Sequence, residues 1–136
     1  MEKNIVNEPE VAYIKTLKKT TLASEFKYAD FLKMSAKMPF TQTEWSAMLH
    51  ISERTLQRYA KSNSKFASII AERAQLLNRL FKEAKTTFGS VDKFYGWLKQ
   101  QPAMLEGPLS VQHLTSAEGI EKIKTQLGRI QQGIFA

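Results

Sequence analysis

The sequence predicts an all-α protein, and three observations support this fold class. Apolar residues recur every three or four positions along most of the chain, and no stretch shows the sustained two-residue alternation of a half-buried strand. Ser, Thr, Gly and Pro interrupt this pattern where helix ends are expected. The pattern predicts about eight helices, and 136 residues are enough to form one hydrophobic core.

The composition narrows the function classes. With 43% hydrophobic residues, 24% charged residues, 6 Gly and 4 Pro, the chain is expected to fold rather than to be disordered or collagen-like. The absence of cysteine excludes a disulfide scaffold, a cysteine-ligated metal and a thiol nucleophile. No segment has the pattern of a signal peptide or a membrane span, so we expect a cytoplasmic protein without a membrane partner. The net charge of +7 favours a polyanionic partner such as nucleic acid.

Two helices are expected before residue 40. Asn7-Glu8-Pro9 is typical of a helix start, and Val11, Ile14 and Leu17 follow it at helical spacing. A second helix is predicted from about Thr21 to Lys37, and Pro39 ends the pattern.

The next two helices are short and close together. Thr41-Gln42-Thr43-Glu44 forms a capping box, in which the Thr41 hydroxyl and the Glu44 carboxylate each bind the other residue's backbone N–H. The helix that it opens runs to Leu49. Ser52 is the predicted N-cap of the following helix, from Glu53 to about Lys61, so the connecting turn is very tight.

Three further helices are predicted in the second half of the chain. In order, they are a long helix over 65–87 followed by Gly89, a short helix capped by Ser90 and ended by Pro102, and a helix opened by a second capping box at Thr115–Glu118 that ends near Gln132 with Gly133 after it. In the last helix, apolar residues form one narrow seam that we expect to pack mainly in the protein's own core: Ile120, Ile123, Leu127, Ile130 and Ile134.

No enzyme signature is present. The sequence has no phosphate-binding glycine loop, no nucleophile elbow and no zinc-protease motif. Its two histidines, His50 and His113, lack partners at ligand spacing. We therefore predict no catalytic residue, no metal, no cofactor and no small-molecule substrate.

Residues 41–61 have the pattern of a helix-turn-helix. The side chains expected to lock the two helices together are Trp45, Leu49, Ile51, Leu56 and Tyr59, and those left to face DNA are Ser52, Glu53, Arg54, Thr55, Gln57, Arg58 and Lys61. Arginine can read guanine and glutamine can read adenine, and a helix N-terminus attracts phosphate. An ordinary helical hairpin with a polar exposed face has the same pattern and stays open as an alternative.

A resemblance makes the interpretation more specific. The run Ile51-Ser52-Glu53-Arg54-Thr55-Leu56-Gln57-Arg58 resembles the turn and recognition helix of Xre-type antitoxins. The second half resembles the toxin-binding domain of the Xre/MbcA/ParS antitoxin family through Trp97-Leu98, Leu105, Gly107-Pro108-Leu109, Leu114-Thr115, Glu118-Gly119, Leu127, Ile130 and Gly133. The turn departs from the family in carrying His50 where Gly is usual, and Ser46 stands where Ala is usual.

The resemblance implies the DNA-binding antitoxin of a bacterial type II toxin–antitoxin pair, with a RES-domain, NAD-consuming toxin as the usual partner. It also implies a homodimer that binds operator DNA and represses its own operon. The corresponding division is a DNA-binding region at 1–64, a connecting and dimerisation helix at 65–88, and a small helical toxin-binding domain at 89–136. Toxin-binding residues are expected among Glu118, Gly119, Arg129, Gly133, Ile134 and Phe135. A stand-alone helix-turn-helix transcription regulator without a toxin partner is the alternative.

Overall fold

The computed structural model describes residues 25–104 and 107–133, and within these ranges the chain is helical. It contains six α-helices, one 3₁₀ helix and no β-strand there, so the all-α prediction is confirmed. In chain order the elements are α1 (Tyr28–Ser35), α2 (Gln42–Leu49), α3 (Glu53–Ser62), α4 (Ser68–Phe88), α5 (Val91–Lys99), the 3₁₀ helix (Val111–Thr115) and α6 (Ala117–Gln131). The predicted helix start at Asn7-Glu8-Pro9 lies outside the described residues.

The starts of α1 and α4 differ from the sequence prediction. Thr21 lies outside the described residues; from residue 25 onward, the helix expected up to Lys37 is observed over Tyr28–Ser35. The helix expected from Lys65 begins at Ser68. The cause is an isolated antiparallel bridge that pairs Lys27 with Lys65. The backbone groups of this bridge bind each other across the two segments, so residues 65–67 do not join the helix that follows them.

Aromatic side chains form the centre of the hydrophobic core. Phe40 stacks on Phe81 of α4 with ring centroids 4.8 Å apart. Trp45 of α2 packs edge-on against Phe31 of α1, with centroids 5.0 Å apart. Because aromatic pairs of this kind add to ordinary burial, these contacts join α1, α2 and α4 into one unit.

The long helix α4 also packs against α5 and α6. Ile120, Ile123 and Leu127 of α6 are buried, so the predicted apolar seam lies in the protein's own core at these positions. Ile130 is half-buried, and Ile134 lies outside the described residues.

The N-terminus of α6 corrects one prediction and explains one glycine. Ser116, rather than Thr115, caps the helix by accepting the Gly119 N–H at 2.9 Å. The Thr115 hydroxyl instead donates to Gln112 O at 2.7 Å and closes the 3₁₀ helix. Gly119 is buried, and a Cβ built on it would lie 2.1 Å from the carbonyl oxygen of His113. A side chain at this position would therefore force the 3₁₀ helix and α6 apart.

The far end of α6 agrees with the prediction. The helix ends at Gln131 with Gln132 as its cap, and Gly133 follows at a φ of 73°. None of the described helices combines the length and the apolar character that crossing a membrane requires.

Candidate nucleic-acid interface

Helices α2 and α3, with the three residues between them, form the predicted helix-turn-helix. Thr41 Oγ1 accepts the Glu44 N–H at 3.0 Å, and the Glu44 carboxylate accepts the Thr41 N–H at 2.9 Å. Ser52 Oγ accepts the Thr55 N–H at 3.0 Å at the start of α3. Both predicted caps are thus confirmed, and each satisfies backbone donors that a helix start leaves unpaired.

The turn depends on one residue in the left-handed region. His50 has φ 62° and ψ 40°, and the Ile51 N–H donates to Ser46 O at 3.0 Å. The turn position at which Gly is usual therefore has a positive φ, and histidine occupies it at a cost that glycine would avoid. Ser46, where Ala is usual, is buried but donates its hydroxyl to Gln42 O at 2.8 Å, so it is satisfied.

Two polar contacts attach the helix-turn-helix to the C-terminal half. His50 Nε2 lies 2.5 Å from Thr115 O, and since a carbonyl can only accept, this ring nitrogen donates. The Tyr95 hydroxyl of α5 lies 3.0 Å from both carboxylate oxygens of Glu44. The carboxylate of Glu44, which takes part in the cap of α2, is therefore also bound by a residue of the C-terminal half.

The apolar side of the motif packs as predicted. Trp45, Leu49 and Leu56 are at most 4% exposed, and Ile51 and Tyr59 are half-buried against the same core. The opposite side of α3 faces solvent: Ser52, Glu53, Arg54, Gln57, Arg58 and Lys61 are exposed, and Thr55 is half-buried. The structure therefore brings all seven predicted DNA-facing residues together on and just before one short helix.

These seven side chains differ in the hydrogen bonds that they already make within the described residues. The Ser52 hydroxyl caps α3 and also donates to Thr55 Oγ1 at 2.9 Å. Glu53 Oε2 accepts the Thr43 hydroxyl at 2.8 Å, which links α3 to α2. These three contacts set the angle and start of the helix, so we assign them to holding the motif in shape.

The remaining four side chains are available to a ligand. Within residues 25–104 and 107–133, no hydrogen bond or ion pair engages Arg54, Gln57, Arg58 or Lys61 through its side chain, and these four line one shallow concavity. Three of them are cationic. A surface of guanidinium, amide and ammonium groups suits base edges and phosphates.

The described residues among those predicted to bind a toxin are spread along α6 and just beyond its end. Glu118 is exposed in the first turn of α6, whereas Arg129 is half-buried near its end, about 16 Å along the helix axis. Gly133 is exposed just beyond the helix, and Ile134 and Phe135 lie outside the described residues. Gly119 is buried against His113, which gives it a packing role rather than a place on a contact surface.

The contacts that sequence reasoning missed join distant parts of the chain. The Glu44–Tyr95 and His50–Thr115 pairs are 51 and 65 residues apart. No local spacing relates residues so far apart, and only the substitution of His50 for the usual turn glycine hinted at a special role. Within the part of the chain that the structure describes, no group of three or more acidic or histidine side chains could hold a metal ion.

Substitution of His50 separates backbone strain from its contact with Thr115. We expect His50→Ala to be less stable than His50→Gly by about 1 kcal/mol or more, because both lose the hydrogen bond but only alanine keeps a Cβ in the left-handed region. Urea unfolding of the two variants measures the difference. Equal stabilities would contradict the assigned strain.

Comparison with known families agrees with the motif. Residues 20–79 match the family model of the antitoxin Xre-like helix-turn-helix domain. The match includes α1, α2, α3 and the first half of α4, so it contains the complete motif. Over this stretch the expected likeness to Xre-type antitoxins is confirmed, and the match ends at residue 79, before the region 89–136 that the sequence assigns to toxin binding. No curated protein matches the chain.

Proposed function

We propose, from the likeness of residues 20–79 to an antitoxin DNA-binding domain, that this chain is the antitoxin of a bacterial type II toxin–antitoxin pair. In this proposal the chain binds operator DNA as a homodimer and represses its own operon. It also binds a cognate toxin directly and performs no chemistry itself. The observation that carries the proposal is the exposed polar face of α3 within the matched motif.

The DNA-binding step follows from the position of α3. A recognition helix enters the major groove with its N-terminal residues deepest. Arg54, Gln57 and Arg58 occupy the first two turns of α3 on its exposed side, and Lys61 lies one turn further on. We therefore propose that Arg54, Gln57 and Arg58 contact base edges and that Lys61 contacts a phosphate.

The toxin-binding step is proposed for residues 89–136, with residues 65–88 connecting them to the DNA-binding region at 1–64. The sequence resemblance favours a RES-domain toxin, which this surface would neutralise by covering the toxin's active site. Glu118 and Arg129 are the described residues that we propose for the contact, together with the segment from Gly133 to Phe135.

The decisive experiment is co-purification. The chain is co-expressed with the tagged product of the adjacent gene, and the complex is followed through a high-salt wash and gel filtration, which also gives its mass. A stable stoichiometric complex supports the antitoxin proposal. A folded chain that shifts its own promoter fragment but captures no toxin overturns it and leaves the stand-alone regulator.

Two variants keep the activities separate in this experiment. Glu118→Lys reverses an exposed charge on α6 and is expected to weaken toxin capture while leaving operator binding unchanged. The double variant Arg54→Ala with Arg58→Ala is expected to weaken operator binding while leaving toxin capture unchanged. If each variant reduced both activities, the two surfaces would not be independent.

A further inference from the structure

The bridge between Lys27 and Lys65 places two lysines directly opposite each other. The Phe66 N–H donates to Phe26 O at 2.7 Å, and the Tyr28 N–H donates to Ser64 O at 3.2 Å. These bonds lie on either side of the Lys27–Lys65 pair, which is therefore the non-hydrogen-bonded type of antiparallel pair. In such pairs the Cα atoms are about 4.5 Å apart and the side chains leave the same face.

The two faces of the bridge differ sharply. Phe26 and Phe66 are 7% and 1% exposed and pack edge-on with ring centroids 5.5 Å apart. Because side chains alternate along extended backbone, Lys27 and Lys65 point the other way, and both are exposed. The buried phenylalanines thus fix the direction in which the lysines leave the chain.

The bridge brings the positive charges of Lys27 and Lys65 together. Directly opposed like charges are unfavourable, and in the described ranges no carboxylate forms an ion pair with either lysine. The Asp30 carboxylate is engaged elsewhere, because its Oδ2 accepts the Lys27 backbone N–H at 3.0 Å and caps α1. An anion bound between the two ammonium groups would relieve their repulsion.

The bridge adjoins the end of the recognition helix. Ser64, beside Lys65, lines one depression together with Thr55 and Arg58 of α3, and the Ala67 N–H donates to the Tyr59 hydroxyl at 3.3 Å. The 10 residues of α3 span about 15 Å, which exceeds the depth of about 8.5 Å of the major groove that the helix would enter N-terminus first. The end of α3 would therefore lie at the groove's edge, where the phosphates are.

We propose that Lys27 and Lys65 form a phosphate clamp, which contacts the DNA backbone at one edge of the major groove that α3 occupies. The inference rests on the proposed DNA binding and adds a site outside the recognition helix. Its ligand is the phosphodiester backbone, so it contributes affinity and position rather than sequence preference.

The test is the salt dependence of DNA binding. The double variant Lys27→Gln with Lys65→Gln is titrated by fluorescence anisotropy against the promoter fragment and against an unrelated duplex over a series of salt concentrations. We expect weaker binding by the same factor on both duplexes. The slope of log K against log salt should become shallower by about 1.8 for the homodimer, which has one clamp on each protomer and therefore loses two phosphate contacts.

A matched control removes the same charge elsewhere. Lys93 and Lys99 are exposed on α5, outside both the DNA-binding region at 1–64 and the helix at 65–88. The variant Lys93→Gln with Lys99→Gln should keep the wild-type slope. Equal slopes for wild type and the clamp variant, or an equal change in both double variants, would overturn the clamp while leaving DNA binding intact. Failure of the wild-type chain to bind either duplex would overturn both proposals.

A charge reversal distinguishes the clamp from a structural role. Lys65→Glu places opposite charges across the bridge, so the melting temperature should be unchanged or higher. DNA affinity should fall further than with Lys65→Gln alone. A lower melting temperature with unchanged DNA affinity would show that the pair serves the fold and would overturn the clamp.

Discussion

Gly119→Ala is expected to destabilise the protein by about 3 kcal/mol or more, at the upper end of overpacking effects. The new Cβ would lie 2.1 Å from the His113 carbonyl oxygen and 2.7 Å from its Cα. Both are backbone atoms, so no side-chain rotation can relieve the clash. Alanine normally stabilises a helix relative to glycine by about 1 kcal/mol. At this position we expect the reverse, a lower free energy of unfolding.

Gly128→Ala is the matched control on the same helix. A Cβ at Gly128 meets no atom within 4 Å, so this variant should gain up to about 1 kcal/mol. Urea unfolding of both variants gives the comparison. If Gly119→Ala were as stable as Gly128→Ala, α6 and the 3₁₀ helix would not be packed as closely as the structure shows.

Arg54→Ala and Arg58→Ala are each expected to weaken operator binding by about 1–3 kcal/mol, the cost of losing a base-reading arginine. Both side chains are exposed, so the free energy of unfolding should change by no more than about 0.5 kcal/mol. Anisotropy titrations against the promoter fragment and a scrambled duplex measure affinity and specificity together.

Arg79→Ala is the control for charge, because Arg79 is exposed on α4 outside the motif. It should leave the preference for the promoter fragment unchanged. Unaltered operator affinity in both Arg54→Ala and Arg58→Ala would remove α3 as the recognition helix. A loss that was equal on both duplexes would assign the arginines to phosphates instead of bases.

Local signals in the sequence were sufficient for most of the fold. The capping residues Thr41, Ser52 and Ser90 begin their helices as predicted, because a cap depends only on a side chain and the backbone within three residues. The prediction that Thr115 caps α6 was wrong, because Ser116 beside it is an equally good cap. The Thr115 hydroxyl instead forms a hydrogen bond within the 3₁₀ helix.

The sequence by itself determined the helical class, the helix-turn-helix at 41–61 and the exposed face of α3, since periodicity and capping are local properties of the chain. Tertiary structure decided what no local pattern contains. It paired Lys27 with Lys65, joined His50 to Thr115 and Glu44 to Tyr95, and buried Gly119 under a neighbouring backbone. Each of these contacts joins segments whose approach is set by packing around the shared aromatic and aliphatic core, and packing depends on the whole chain.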